Sequence, residues 1–324
     1  SMISLSCGNT GTPAREFRLS LVLGTNSDWH RGALKFKELI EKRTDGAYRI
    51  SIYPHAQLAG GVQRTELEMA QSGVIDLSLE SSILLSLIDE RMGVLSLPWL
   101  FRDYHQASSI LSGPLGEELL SHLPEKELIG LAYGANGFRQ ITNSRKPIRE
   151  PEDLNDMKIR VPAIRLYIDI FKHLGADPSS MNFGELFPAL AQGTMDGQEN
   201  PAAVIFTSRL YEVQKYLTVW NYSYDPIILC MNRTKWDSLT DEMQGVFRQC
   251  AREAMEYQFH LVADGEQAAL DSLRARGMEI DSLSGESLAR FRELSEPVYR
   301  EYARNAGIGL IKRFMESARK EGDS

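Results

Sequence analysis

Polar and apolar positions along the chain follow two alternating periods. At residues 17–23, Phe17, Leu19, Leu21 and Leu23 are separated by Arg18, Ser20 and Val22, the two-residue period of a strand. The chain turns at Gly24, and Ser27 or Asp28 is placed to cap a helix. Trp29, Ala33, Phe36 and Ile40 recur at three- and four-residue spacing, which predicts an amphipathic helix stopping near Asp45-Gly46. Tyr48, Ile50 and Ile52 return to the strand period. Strand, helix and strand with short links form a βαβ unit, the building block of parallel sheets. A helix over about 61–73 and a strand over 74–79 extend it. Ligands of open parallel sheets lie beyond the carboxyl ends of the strands, so residues 25–30 and 80–82 are expected on one rim.

Further on, the apolar stretch Leu95-Ser96-Leu97-Pro98-Trp99-Leu100-Phe101 precedes a helix starting near Asp103, and Gly113-Pro114 opens another. Strand character over 129–141 is interrupted at Asn136-Gly137. A second set follows: a strand at Ile159, a helix over 163–174, a strand near Ser180-Met181, a helix over 183–192 and a strand near Met195. The polar turn Asp196-Gly197-Gln198-Glu199-Asn200-Pro201 closes it. Two such sets imply an α/β protein of two lobes with the pocket between them. Residues 240–276 contain no proline and hold helical spacing throughout. At 1.5 Å per residue that helix runs roughly 50 Å, too long for one small lobe, and is expected to cross both. Residues 287–321 read as one or two more helices.

Composition narrows the function. A length of 324 residues suits two domains or one large one. The net charge of −8, from 44 acidic and 36 basic residues without long single-sign blocks, argues against a nucleic-acid surface. An anionic ligand must therefore be held by local arginines against the overall field. No stretch of about 18 apolar residues exists, so no membrane span is expected. No charged-then-apolar leader precedes the first strand, so the protein is expected either to be cytosolic or to have an export signal absent from this sequence. Cys7, ahead of a polar tail spanning 1–16, stands where a lipid-bearing cysteine would, although Ser4 replaces the usual aliphatic residue. Three cysteines make no disulfide framework, and Cys230 and Cys250 read as core residues.

Candidate chemistry gathers around two arginines. Arg160 sits between Ile159 and Val161, in a strand otherwise fit for burial, and a guanidinium there needs a partner. Either a ligand carboxylate meets its planar fork or an internal Asp or Glu pairs with it. Arg139, in Asn136-Gly137-Phe138-Arg139-Gln140, has the same two readings. With Asn136 and Asn200 these residues are read as the wall of a pocket for a small anion. Glu80 and the serines after it could receive hydroxyls of a polar ligand or form a solvated loop. Trp29-His30 could supply a stacking face and a donor, or a core anchor. Trp220, Tyr222 and Tyr224 form an aromatic cluster. Six histidines show no metal-ligand spacing, and there is no G-x-G-x-x-G, Walker loop or G-x-S-x-G elbow. That pattern favours binding over turnover, with no catalytic residue, cofactor or metal expected; the alternative is an enzyme acting on a carboxylate substrate, with Glu80 or His30 as base.

Several stretches fall in a familiar order: Ser27-Asp28-Trp29-His30, Gln57-Leu58-Ala59-Gly60-Gly61, Leu97-Pro98-Trp99-Leu100-Phe101-Arg102-Asp103, Asn136-Gly137-Phe138-Arg139, Met157-Lys158-Ile159-Arg160-Val161-Pro162, Leu174-Gly175-Ala176 and Asp196-Gly197-Gln198-Glu199-Asn200-Pro201. From about residue 17 to 273 the chain resembles a solute-binding protein of the tripartite ATP-independent periplasmic (TRAP) transporters, of the dicarboxylate-binding type. The resemblance implies a two-lobed, periplasmic-binding-protein-like (Venus flytrap) fold with a long helix spanning both lobes. It implies a tail at 1–16, one lobe of 17–138 plus about 226–265, and another of 139–225 plus about 266–324. Arg160 would bind the ligand carboxylate, Arg139 and Asn200 would assist, and Glu80 would take ligand hydroxyls. Together with His30 and Asn136 these are the expected ligand contacts. A sugar acid such as a uronate or aldonate is preferred over a C4-dicarboxylate or keto acid. The partners would be TRAP permease subunits, and the location periplasmic. Asn221-Tyr222-Ser223-Tyr224 departs from a stretch that often carries histidine, and Ala59 stands where glycine is frequent.

Overall fold

The fold is that of a computed structural model describing residues 14–320. The tail before residue 14, including Cys7, lies outside the described residues. Nine strands are described: β1 (Arg15–Leu21), β2 (Tyr48–Tyr53), β3 (Leu77–Ser81), β4 (Leu128–Asn143), β5 (Lys158–Val161), β6 (Asp177–Ser180), β7 (Gly197–Pro201), β8 (Tyr216–Asn232) and β9 (Glu279–Ser282). They run in the order β2-β1-β3-β8-β4-β7-β5-β6, with β9 against β8. β1 is parallel to β2 and β3, as the βαβ reading requires. Strands β4 and β8, of 16 and 17 residues, pair antiparallel along their length and belong to both lobes. In one lobe the end of β8 lies beside β3; in the other its start lies beside β9.

Local sequence signals account for most helix ends. Ser27 caps the helix Asp28–Arg43, its hydroxyl accepting from the His30 amide, while Asp103 and Thr240 cap the helices Tyr104–Ser112 and Asp241–Ala275. The 35-residue helix Asp241–Ala275 crosses both lobes. Its first half buries Phe247, Cys250, Ala254 and Met255 in one core, and Leu270 and Leu273 enter another. The Phe247 ring meets Phe17, Phe36 and Tyr48 edge-on at centroid distances of 5.7, 6.0 and 5.6 Å. The helices Gly285–Ala306 and Ile308–Lys320 touch residues from both strand sets: Phe291 packs edge-on against Trp220, and Arg313 pairs with Glu118.

Two sequence expectations are corrected. Residues 197–201 form a buried strand rather than a turn, because β7 is inserted between β4 and β5 and its Gln198 and Glu199 side chains bond to Thr142 and Arg139 of β4. The third strand begins at Leu77, so Glu80 and Ser81 lie within it and not on a loop beyond it. Alternation along β3 then puts Glu80 and Ser81 on opposite faces.

The crossing between lobes is marked by register shifts in β4 at Ala135/Gly137 and Arg139/Ile141. At the first, Gly137 has φ +119, and a Cβ there would meet the Tyr104 hydroxyl at 2.8 Å. The peptide groups of Ala135 are satisfied by the long helix, where the buried Gln258 amide donates to the Ala135 carbonyl at 2.7 Å and its oxygen accepts from the Ala135 N–H at 2.8 Å. At the second, the Gln140 oxygen accepts from the Trp220 and Asn221 amides at 3.0 and 3.2 Å. Asn221 has the left-handed φ of +46.

Behind the cleft wall lies a buried acid pair with a measurable consequence. Glu66, on the helix Gln63–Gln71, accepts from the Ser20 hydroxyl, but its other oxygen has no partner, nor has Glu80 Oε1. Burial pushes the Glu66 carboxyl up to about 7, against the pull of Ser20. Burial, and then the Glu66 charge, push Glu80 well above the usual range, with Ser78 opposing. Acids raised in this way keep their protons in the folded state after the unfolded chain has lost them. The Glu66 contribution to stability therefore falls as pH rises from the ordinary carboxyl range near 4.5 to about 7, and levels off above. Glu66→Gln keeps the acceptor for Ser20 and removes the charge. It is expected to stabilise the protein at pH 8 by on the order of 3 kcal/mol, with the gain vanishing near pH 4. Urea unfolding of both proteins at the two pH values reads the difference; a pH-independent gain would contradict the assignment.

Candidate ligand site in the interlobe cleft

The carboxyl ends of the first lobe's strands and the facing strands of the second border a cleft that is partly open to solvent. Leu23, Trp29, Gln63, Ser81, Ile83 and Leu84 line it from one lobe, and Arg160, Pro162, Phe183, Asn200 and Val204 from the other. Asn136, Arg139 and Asp225 line it from the crossing strands β4 and β8. Two hydrogen bonds bridge the mouth, from the Asn26 amide to the Thr207 carbonyl at 2.9 Å and from the Phe183 N–H to the Gln63 oxygen at 3.2 Å. The lobes are thus closed.

The two arginines have different environments. Arg139 is 3% exposed and lies between two carboxylates. Its Nε donates to Glu199 at 2.5 Å, its Nη1 to Asp225 at 2.8 Å, and its Nη2 to Glu199 at 2.8 Å and to the Asn200 oxygen at 3.2 Å. The Tyr222 hydroxyl donates to Glu199 at 2.6 Å, and the Tyr167 ring lies 5.5 Å from the guanidinium. Burial works against this charge, but Glu199, Tyr167 and Asp225 hold it well above its usual range. Burial raises Asp225, opposed by Arg139 and by hydrogen bonds from Ser81 and Asn136. This is the internal salt bridge that sequence left open for Arg139.

Arg160 has no such partner. It is 2% exposed, and its Nε and Nη2 donate only to the Met181 carbonyl at 3.1 and 2.6 Å. Among the described residues no carboxylate lies within ion-pair distance of it. Burial, and the charge of Arg139, depress its pKa to about 10, with Glu199 and Glu185 acting the other way. A buried guanidinium short of an anion, facing a cleft, is an incomplete ion pair.

Four of the six expected contacts, Arg160, Arg139, Asn200 and Asn136, come together in the cleft. Glu80 does not line it: β3 presents Ser81 there and turns Glu80 toward Glu66. His30 is also outside the lining. Its Nδ1 is buried without a partner, and burial and the nearby His55 lower its pKa. Its neighbour Trp29 takes the cleft position and donates from Nε1 to Asn136 at 2.9 Å. Sequence reading missed Asp225 and took Glu199 as one of the polar residues of the pocket wall or of a turn, not as a partner of Arg139. The signal for Asp225 was an acid in an aromatic run ending at a proline; nothing local shows that it faces Arg139, 86 residues away in the chain. Among the described residues no cluster of His, Cys, Asp or Glu could hold a metal ion, and no helix is long and apolar enough to cross a membrane.

The comparisons with known proteins agree with this geometry. Residues 19–305 match the model of the bacterial extracellular solute-binding proteins, family 7. The chain belongs to this family. It is 34% identical over 267 residues to the 2,3-diketo-L-gulonate-binding periplasmic protein of Escherichia coli K12, covering 82% of this chain and 81% of that protein. Among solved structures, a TRAP periplasmic solute-binding protein from Ralstonia eutropha with bound (S)-2-acetolactate superposes with a TM-score of 0.91 at 34% identity, covering 94% of this chain and 99% of that one. The sugar acid-binding protein of Advenella mimigardefordensis, in complex with galactonate, has a TM-score of 0.91 at 32% identity, covering 95% and 98%. The chain is therefore a TRAP-type solute-binding protein with the two-lobed fold, crossed by one long helix.

Proposed function

We propose that this protein captures a small organic acid outside the cytoplasm and presents it to the membrane permease subunits of a TRAP transporter. The observation that carries the reading is Arg160, a buried guanidinium without an acid, facing an interlobe cleft. A ligand carboxylate supplies the missing charge in the planar geometry that a guanidinium recognises. Sugar acids, C4-dicarboxylates and keto acids all carry that group, and the relatives' galactonate, acetolactate and diketogulonate are examples. One charge-assisted contact contributes about 1.5–3 kcal/mol, whereas micromolar affinity corresponds to about 8. Closure must add contacts from the opposite lobe, so the ligand shifts the population of closed molecules. In this reading residues 17–138 with about 226–265 move as one body, and 139–225 with about 266–324 as the other. They turn about the irregular pairings of β4 and β8.

The protein acts by binding and release, without chemistry on the ligand. A thermal-shift panel of organic acids, followed by mass analysis of the recovered ligand, tests this. The expected result is a melting temperature raised by several degrees with at least one acid, which is recovered unchanged. Conversion of the acid would contradict the reading.

A further inference from the structure

In the first lobe β4 is the last strand of the sheet: from Leu128 to Ala135 it pairs with β8 on one side, and β7 joins it only from Arg139 onward. Residues 129–134 line, one after another, a groove between the helices Tyr104–Ser112 and Pro114–Leu120 on one wall and the helix Asp241–Ala275 on the other. A strand shows successive residues to one side only at its edge, because its side chains alternate between the two faces. The floor of the groove is therefore main chain.

The register tells which peptide groups point into it. Ala135 lies opposite Pro226, which has no N–H, and turns both of its own peptide groups away from β8 to Gln258. Tyr133, two residues back, points the same way. At the other end Leu128 lies opposite Asn232, whose N–H goes to the Asp76 carbonyl, so Leu128 and, two residues on, Gly130 also face outward. The register shift between Gly130 and Ala132 takes up the odd residue. Among the described residues no group pairs with the main-chain N–H or C=O of Gly130 or Tyr133. The Gln258 amide, which gives one hydrogen bond to Ala135 and takes one, does there what the main chain of a further strand would do. It caps the edge at one end and leaves the rest open.

Charge along the groove is polarised. Arg248 and Arg252 stand at one end of the long-helix wall, and burial and the charge of Arg252 lower the pKa of Arg248. Glu256 follows one turn further on and Asp264, beside His260, about three turns on. Glu117 stands on the opposite wall, next to Gly116, whose carbonyl accepts from the Tyr133 hydroxyl. The long helix and β4 run the same way, since Ile129 shares a core with Cys250 and Ala254 while Gln258 meets Ala135. The arginines thus flank the start of the open edge. A strand added antiparallel to β4 ends there, and a free carboxylate at its end meets two guanidiniums. At 1.5 Å per residue the helix from Arg248 to Asp264 spans about 24 Å, the length of about seven extended residues.

We propose that this groove binds the C-terminal segment of another protein as an added β-strand: about seven residues, extended and antiparallel to β4, with a basic side chain toward Glu256 and Asp264 and the terminal carboxylate between Arg248 and Arg252. The peptide groups of Gly130 and Tyr133 hold the segment's main chain, and its alternate side chains pack against Leu120 on one wall and Phe259 on the other. The carboxylate sets the direction.

Affinity selection on the full chain tests it, with a library of heptapeptides that begin with lysine, are randomised at the other six positions and end in a free carboxylate, beside the same library amidated at the C-terminus. The acid library is expected to yield binders and the amide library none. The tightest binder should lose tenfold or more on amidation. Methylating its alternate main-chain nitrogens should abolish binding in one register and change it less than about threefold in the other, because only every second N–H meets β4. Arg248→Ala combined with Arg252→Ala should bring acid and amide to within about threefold, while the melting temperature and organic-acid binding in the interlobe cleft stay unchanged. No binder from the acid library, an equal yield from both libraries, or the same response to both methylation patterns would overturn the proposal.

Discussion

Replacing Arg160 by methionine is expected to stabilise the ligand-free protein while removing its ability to bind. The two effects share one cause. In the closed cleft the guanidinium is buried with only the Met181 carbonyl as a hydrogen-bond partner, and burial and the Arg139 charge lower its pKa to about 10. That depression corresponds to an electrostatic cost on the order of 3 kcal/mol. Methionine follows the arginine stem without the charge and relieves the cost, so the melting temperature should rise by several degrees. A bound carboxylate would have balanced the same charge, and the variant loses that contact together with the orientation it imposes. Truncating one partner of a buried, hydrogen-bonded charge pair typically costs 2–5 kcal/mol, or about 30- to several-thousand-fold in affinity. Scanning calorimetry with and without the tightest acid from the panel reads both effects. A variant that binds as tightly as the parent would refute the clamp role. One that melts lower while still losing the ligand would show that Arg160 supports the fold instead.

Arg139→Leu should behave in the opposite way. Here the substitution leaves Glu199 and Asp225, both essentially buried, facing each other without a cation. Breaking a buried pair by removing one partner costs about 3–5 kcal/mol, a large part of the 5–15 kcal/mol that holds a domain together. Arg139→Lys should recover only part, because an ammonium cannot span both carboxylates as the fork does. Denaturant unfolding is expected to show a strongly reduced midpoint for the leucine variant and an intermediate one for lysine. Its stability would rise as pH falls, since protonating Asp225, whose pKa is already raised by burial, relieves the unpaired charge. An unchanged midpoint would mean that the network carries no net stability. Loss of ligand binding should accompany the loss of stability, because Arg139 also holds the Asn200 side chain in place.

This contrast explains how much of the site was legible. From the chain alone both arginines sit on strands fit for burial, and both admit an internal or an external anion. Arg139 meets Glu199 and Asp225 across 60 and 86 residues of sequence, through pairings of β4 with β7 and with β8. No local pattern encodes which acid will face which base at that distance. The misplacement of Glu80 has a smaller cause. Reading the third strand two residues short left its end as a loop, and in a strand each residue reverses the face of the next.

By itself the sequence determined what short-range physics controls. The two-residue and 3.6-residue periods placed most strands and helices, the side chains of Ser27, Asp103 and Thr240 capped helices, and the unbroken run after Thr240 demanded a helix longer than one lobe. Its motifs, taken together, identified the family. Tertiary structure alone decided that the polar run 197–201 is a strand, because its hydrogen bonds come from neighbours on both sides. It also decided that Arg139 is paired with two internal acids while Arg160 has none, because pairing of a buried charge depends on which distant strands are packed together.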